Sequence, residues 1–224
     1  SGMVKWILRI LKGTFVVEGI GAIFFAFQFI PEYGFLKGIW YSVFHSISAF
    51  CNAGIDILGA DSFAAYARNP LINLTTMILI VAGGIGYTVW FDIIDNIRNF
   101  RKKGERRRGM FKILTLNSKV ALTMTAILIV TGTVSFLFLE LSNPDTLGEF
   151  SFGDKVMGAA FQSVTTRTAG FFTVPQGDLR EESVFISCLL MFIGGSPAGT
   201  AGGVKTTTIA MLFLTAVTVV KGNK

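Results

Sequence analysis

The chain has 224 residues, 51% of them hydrophobic and only 15% charged, against about 25% charged in an ordinary soluble domain. Two distant cysteines and a single histidine exclude a disulfide framework and a histidine-based metal centre. The net charge of +6 is concentrated between Arg98 and Lys112, where eight basic residues stand against Glu105 alone; apolar segments flank this run on both sides, so it reads as a short cytoplasmic loop under the positive-inside rule and not as a nucleic-acid surface.

In chain order, the first apolar segment runs from about Val4 to Ile30, with Lys5, Arg9 and Lys12 ahead of its apolar centre. The second runs from about Leu71 to Ile97, the third from Val120 to Leu141, and the fourth from Val184 to Val220. Each is long enough to cross a hydrocarbon layer of about 30 Å. With the basic loop inside, both termini are cytoplasmic, and residues 31–68 and 142–182 face outward. Each outer stretch holds a mixed segment of apolar and small polar residues, Gly38–Leu58 and Phe152–Val174, too short or too polar to span and too apolar for a solvated loop. Acidic residues outnumber basic ones in these stretches, a balance that favours cations at an outer mouth. Trp6, Trp40 and Trp90 fit membrane interfaces, and Asp92 and Asp95 are expected to be solvated at the inner end of the second span.

The two halves repeat each other. Phe44-His45-Ser46-Ile47-Ser48 precedes Asn52-Ala53-Gly54-Ile55, and Phe161-Gln162-Ser163-Val164-Thr165 precedes Thr168-Ala169-Gly170-Phe171, the two spacings differing by one residue. Farther on, Gly83-Gly84 and Gly194-Gly195 each follow an apolar run. The unit is helix, short pore helix, Ala-Gly turn, helix, in the same orientation twice, and repeats in membrane transporters place the substrate path at their interface. A dehydrated cation needs oxygens in place of its water shell; an extended backbone with its carbonyls turned to one side supplies them, and glycine permits the dihedrals. The same turns also serve packed re-entrant loops.

The fourth segment covers 37 residues, roughly 55 Å as one helix, more than a bilayer needs. Pro197 and five glycines lie between Gly194 and Gly203, so a break is expected there, either as a loop inside the membrane or as a packing kink between helices. A Walker-type phosphate loop is excluded because Val204, not glycine, precedes Lys205 and apolar spans flank the string.

Three strings carry a resemblance to a known family: Phe44-His45-Ser46-Ile47-Ser48-Ala49-Phe50-Cys51-Asn52-Ala53-Gly54, Thr165-Thr166-Arg167-Thr168-Ala169-Gly170-Phe171, and Gly194 through Thr206. They resemble the Trk/Ktr/HKT superfamily of potassium transporters, most of all the membrane subunit of the bacterial Ktr system, over nearly the whole chain. The resemblance implies an all-α integral membrane fold of two tandem helix–pore helix–helix, potassium-channel-like repeats, matching the family's second and third: residues 1–98, a basic loop 99–117, and residues 118–224. It implies filter segments at Cys51, Asn52, Ala53, Gly54 and at Arg167, Thr168, Ala169, Gly170, with Gly54 and Gly170 as the central glycines. It makes Gly195, Ser196, Pro197, Ala198, Gly199, Thr200, Ala201, Gly202, Gly203 and Lys205 an intramembrane gate. It further implies potassium, with sodium possible, as the cargo and no organic cofactor. The implied partners are membrane lipid, a second copy of the chain, and a cytosolic nucleotide-binding ring for which the 98–112 loop is a docking surface. The family uses four repeats around one pore, so two repeats either need two copies to complete the filter or form a non-conducting assembly piece. No nucleophile–base pair stands out, and no enzyme is expected. Three further residues are singled out: Glu18 inside the first span, as a functional or a paired acid; His45, as a local hydrogen-bonding residue of the pore helix; and Arg167, as an electrostatic barrier or a tie to an acid such as Glu140.

Overall fold

The computed structural model describes residues 2–103 and 110–222, with side chains from 2–98 and 111–222. The regular structure in these residues is helical. Helix α1 (Gly2–Tyr33) is 32 residues long, roughly 48 Å. Gly34, at φ 81°, reverses the chain into pore helix α2 (Phe35–Phe50), and Gly38 lets α2 lie directly on the backbone of Phe29 and Ile30. Helix α3 (Pro70–Gly84) begins at Asn69, whose side chain accepts from the N–H groups of Leu71 and Ile72 at 3.0 and 3.2 Å, with Pro70 where its missing N–H costs nothing.

After α3 the chain bends by 96° into α4 (Tyr87–Lys103). The expected continuous span from Leu71 to Ile97 is therefore broken at Ile85–Gly86, where Gly86 takes φ 89°. Asp92 and Asp95, expected to be solvated, are both engaged. Asp95 forms an exposed ion pair with Arg9 of α1, and Asp92 accepts from the backbone N–H and the hydroxyl of Thr115 at 2.9 Å each.

The second half follows the same plan. A single-turn helix, α5 (Met110–Ile113), precedes α6 (Leu116–Glu140), which is capped by the Thr115 hydroxyl. Pore helix α7 (Phe152–Thr165) is capped by Ser151. Helix α8 (Glu181–Phe192) and helix α9 (Thr206–Val220) are separated by the loop 193–205, so the break expected in the fourth segment is a loop and not a kink. Residues 104–109, which hold Glu105 and three of the eight basic residues of the expected cytoplasmic loop, lie outside the described residues.

By length and hydropathy α1 and α6 can each cross a membrane, and the bent pair α3–α4 passes the same test jointly. The side chains turned outward from the helices are large and apolar, among them Phe15, Phe27, Phe138 and Phe213, as a lipid-facing surface requires. Inside, one aromatic-rich core gathers Phe25, Phe29, Phe50 and Phe63 with Phe161 and Phe171 of the second half, so the two repeats share a core. A smaller core around Leu128, Phe136 and Leu190 belongs to the second repeat.

Candidate functional site: two glycine turns and the loop 193–205

The repeat is reproduced down to single atoms. In the first half the Ser46 hydroxyl of the pore helix donates to the Glu18 carbonyl of α1 at 2.6 Å; in the second the Ser163 hydroxyl donates to the Ile129 carbonyl of α6 at 2.9 Å. Beside each serine a glycine, Gly21 or Gly132, makes room for that hydroxyl and for a leucine methyl, of Leu79 or Leu190. At the pore-helix ends, the Ser48 hydroxyl donates to the Ile55 carbonyl at 2.6 Å and the Thr165 hydroxyl to the Phe171 carbonyl at 2.5 Å. These bonds pin the residue after each central glycine.

Between those anchors the two turns share a backbone pattern. Asn52 and Gly54 have φ 52° and 65°, and Thr168 and Gly170 have φ 64° and 112°; Ala53 and Ala169 between them are not left-handed. Residues Asn52 and Thr168 adopt a conformation that side chains resist, and each is held there by a side-chain contact to the loop 193–205. The turns meet: a side chain on Gly54 would strike the Ala169 carbonyl and come within 2.6 Å of Gly170 Cα. The outer flanks meet as well, with the rings of Phe63 and Phe171 stacked 4.8 Å apart and the Phe63 N–H donating to the Phe172 carbonyl at 2.9 Å. Cys51 and Ala53 are exposed, and Asn52 is buried.

The loop 193–205 is fastened to both turns and to the break in α3. A helix that stops at Gly84 leaves carbonyls without i+4 partners. The Ala82 carbonyl is taken by the Trp90 indole N–H at 2.9 Å, that of Gly83 by the Thr200 N–H at 3.1 Å, and that of Gly84 by the Ser196 N–H at 2.8 Å. In return the Ala198 carbonyl accepts from Tyr87 N–H at the start of α4, at 2.9 Å. Gly86 sits against the Pro197 carbonyl, and Gly199 approaches the Gly83 and Gly84 carbonyls, where a Cβ would lie 2.9 Å from each. The Thr200 hydroxyl donates to the Phe50 carbonyl at 2.8 Å. With its amide nitrogen turned inward, Asn52 donates to Thr200 Oγ1 at 2.8 Å, to the Phe50 carbonyl at 3.2 Å and to the Ile80 carbonyl at 3.3 Å. Toward the second turn, Gly202 N–H donates to Thr168 Oγ1 at 2.9 Å.

The loop also holds itself. Gly194 and Gly195 N–H groups donate to the carbonyls of Val204 and Gly202, both at 3.1 Å, and Gly203 turns the chain at φ 71°. Ala201 is buried beneath Gly195. The Lys205 ammonium reaches back to the Ala201 carbonyl at 2.8 Å. A cation at the start of α9 opposes the helix dipole, and this carbonyl gives it a compensating partner. Buried Ser196 and Thr206 share a hydrogen bond of 2.8 Å.

The remaining singled-out residues fall around this assembly. Buried Glu18 lies 3.9 Å from the Cys51 thiol, at the flank of the first turn. His45 is fully buried; its Nδ1 lies 2.6 Å from the Tyr41 carbonyl, which makes it the protonated nitrogen, while Nε2 accepts from Ile57 N–H at 3.4 Å. That arrangement fixes a neutral ring joining the pore helix to the chain beyond the turn. Arg167 is buried with its Nη2 3.4 Å from Thr125 Oγ1 on α6. It does not meet Glu140, whose buried carboxylate instead accepts from the Asn143 amide at 2.6 Å, the Thr146 hydroxyl at 2.7 Å and the Arg180 N–H at 3.0 Å. Among the described residues no three His, Cys, Asp or Glu side chains gather into a metal site. Gly83 and Gly84 read in sequence as a repeat marker; in the structure they are the seat of the loop.

Paired helices of membrane-spanning character, each pair enclosing a short pore helix and a glycine turn, define a membrane protein of tandem helix–pore helix–helix repeats. Residues 3–224 match the family described as TrkH, cation transport protein, and the chain belongs to that family. It is 40% identical over 223 residues to a potassium/sodium uptake protein, NtpJ, of Enterococcus hirae, covering all of this chain and 46% of that protein. It is 38% identical to the Ktr system potassium uptake protein B of Bacillus subtilis, again over the whole chain and 47% of the relative. The potassium transporter TrkH from Vibrio parahaemolyticus shares the fold, with a TM-score of 0.70 at 21% identity over 96% of this chain and 42% of that one. The chain thus spans about half the length of the relatives it matches. Its family is one of membrane transport proteins and not of enzymes.

Proposed function

We propose that this chain supplies two filter strands and the gate of a potassium pathway across the cell membrane. The observation that carries the reading is the shared backbone of Asn52-Ala53-Gly54 and Thr168-Ala169-Gly170, left-handed at alternate residues and in contact at Gly54 and Gly170. Alternation of hand turns successive carbonyls toward one side, unlike a strand, where they alternate. A ring of such carbonyls replaces the water shell of potassium, and less selectively of sodium. The short helices α2 and α7 end at these turns, directing their negative ends toward a cation.

The loop Gly195–Gly203 with Lys205 acts as the gate. Its bonds to Asn52 and Thr168 place it against both filter turns, and the Lys205 charge beside it opposes cation passage until the loop moves. Two strands form half of a fourfold ring, so a second copy of the chain or the remaining length found in its relatives completes it. The relatives named for Ktr and NtpJ uptake systems support potassium, with sodium as an alternative cargo. A cytosolic nucleotide-binding ring docking near 98–112, an inner-membrane location, and cytoplasmic termini complete the reading.

The test is potassium flux in proteoliposomes, with the oligomeric mass of the chain measured in parallel. Flux that is lost on Gly54→Ser and Gly170→Ser with the fold intact supports a filter. A monomer with no flux, indifferent to both substitutions, favours the second reading, a non-conducting assembly piece, to which the half-length coverage of the relatives points.

A further inference from the structure

A groove runs along the outside of the first repeat between α1 and α3, with a volume of about 490 Å³. Val17, Ile20 and Phe24 form one wall and Leu71, Leu74 and Ile78 the other, and its floor is Gly21. The lining is apolar, and Ile20, Phe24, Leu74 and Ile78 are each about half exposed or more. Such a groove in a membrane-embedded surface carries no information until its ends are considered.

A second cavity, of about 590 Å³, adjoins one end, with Pro70 lining both. This cavity is polar: Gln28, Glu32, Tyr66, Arg68 and Asn69 line it. A single stripe of α1 lines both, because Ile20, Phe24, Gln28 and Glu32 follow one another at a spacing of four, which keeps successive members on neighbouring faces of the helix. From Ile20 to Glu32 the stripe climbs roughly 18 Å, close to the depth of one leaflet with its headgroups, half of about 40–45 Å. The polar end lies at the close of α1 and the start of α3, at the other end of α1 from the Arg9–Asp95 pair.

The charges at the mouth are of opposite sign and not spent on each other. Among the described residues neither Arg68 nor Glu32 makes an ion pair. The Arg68 guanidinium is held over the Phe150 ring, 4.7 Å from its centre, which leaves its N–H edge free to donate. The Asn69 amide donates to Gln28 at 2.9 Å, and Gln28 donates to Glu32 at 3.3 Å, an exposed carboxylate with further acceptor positions.

We propose that this groove and mouth form a binding site for one zwitterionic phospholipid bearing a primary ammonium, a phosphatidylethanolamine, from the leaflet opposite the Arg9–Asp95 pair. One acyl chain lies between α1 and α3. The phosphodiester accepts from Arg68, and the headgroup ammonium donates to Glu32. A choline headgroup has no N–H to give Glu32, and a glycerol headgroup has no positive charge, so both are discriminated against at the same position. This site is separate from the filter turns and does not depend on the chain conducting.

Native mass spectrometry of the purified chain, delipidated and then offered phosphatidylethanolamine, phosphatidylcholine or phosphatidylglycerol of identical acyl chains, tests it. The expected result is a retained ethanolamine lipid at several-fold lower concentration than either competitor. Glu32→Gln, on an exposed surface where folding is not at stake, brings ethanolamine and choline lipids level. Leu74→Trp fills the groove and lowers retention of all three. Equal retention of the three lipids by the unaltered chain, or an ethanolamine preference that survives Glu32→Gln, overturns the proposal. So does a Leu74→Trp chain that changes oligomeric mass while keeping its lipid, since the groove then belongs to a contact between copies.

Discussion

Thr200 Oγ1 and the Asn52 side chain lie 2.8 Å apart although 148 residues separate them in the chain. The contact fastens the loop 193–205 of one repeat to the Asn52-Ala53-Gly54 turn of the other. Because Asn52 holds φ 52°, a conformation that costs a side-chain-bearing residue free energy, the loop also stabilises the turn. Thr200→Val removes the donor to the Phe50 carbonyl and the acceptor for Asn52. A net loss of about 1–2 kcal/mol is expected, with Thr200→Ser near the parent. A double-mutant cycle with Asn52→Ala, read from thermal unfolding in detergent, should give a coupling of about 1 kcal/mol. If the loop 193–205 is the gate proposed above, Thr200→Val raises basal flux in a conducting assembly. Additive single effects would remove the coupling and with it the mechanical link between loop and turn.

The seat of the loop predicts an asymmetry between adjacent glycines. A Cβ on Gly83 would strike the Phe50 carbonyl and lie 2.5 Å from Thr200 Oγ1; a Cβ on Gly84 would meet Ala201 Cβ at an ordinary 3.6 Å. Gly83→Ala should therefore displace the loop and destabilise by about 1–3 kcal/mol, the range of overpacking. Gly84→Ala should be near neutral. Limited proteolysis of the loop 193–205 reads the difference directly, and equal cleavage of the two variants would contradict the seat.

The internal symmetry makes a paired prediction. Gly21→Ala and Gly132→Ala each drive a methyl into a pore-helix serine, Ser46 or Ser163, and into a leucine methyl at 2.7 or 2.8 Å. Each should cost about 1–3 kcal/mol, with similar drops in melting temperature. A loss confined to one site would mean that the two helix–pore-helix contacts, alike in geometry, differ in how far they can give.

Glu140 predicts the behaviour of the outer loop. Its buried carboxylate collects three donors, from Asn143, Thr146 and the Arg180 backbone. Glu140→Ala takes the acceptor from all three, leaving the Asn143 amide its bond to the Asp178 carbonyl but the Thr146 hydroxyl and the Arg180 N–H without one, and is expected to cost about 3 kcal/mol or more. Glu140→Gln keeps the shape but turns an NH2 group toward donors and should fall between. Hydrogen exchange of residues 141–180 is the measurement; protection unchanged in Glu140→Ala would show that the loop is held by its apolar contacts instead.

What was legible in the sequence was what local composition controls. Apolar blocks of membrane length gave α1 and α6, the string Gly194–Gly203 gave the interruption before α9, and the matched Ser and Ala-Gly positions gave the tandem repeat. What was not legible depended on partners far away in the chain. The stretch Leu71–Ile97 is uncharged throughout its first two-thirds and reads as one span. It bends because Trp90, Thr200 and Ser196 satisfy the three carbonyls that the bend releases, and two of those partners lie more than 110 residues downstream. The expected tie from Arg167 to Glu140 fails for a similar reason. Glu140 is saturated by donors of its own outer loop, and Arg167 turns instead to Thr125.

Gly54 and Gly170, the glycines of the proposed filter, should not be equivalent. Both have left-handed backbones, φ 65° at Gly54 and 112° at Gly170, so alanine strains either position. Their surroundings differ. An alanine methyl at 54 points at the Ala169 carbonyl and at Gly170 Cα, 2.6 Å away, so it must push the second turn aside; at 170 the nearest atom is Gly54 Cα at 3.3 Å, a contact that a few tenths of an ångström relieve. Gly54→Ala therefore distorts both turns, and Gly170→Ala chiefly its own. Cation-dependent protection of the chain against thermal unfolding, measured with potassium and with sodium, should be abolished by Gly54→Ala and reduced but present in Gly170→Ala. If a carbonyl ring coordinates the cation, the Gly170→Ala chain should also discriminate potassium from sodium less well, because a shifted turn alters the spacing of its oxygens. The reverse order of severity would mean that the approach of Gly54 to Ala169 is not retained when the pathway is complete.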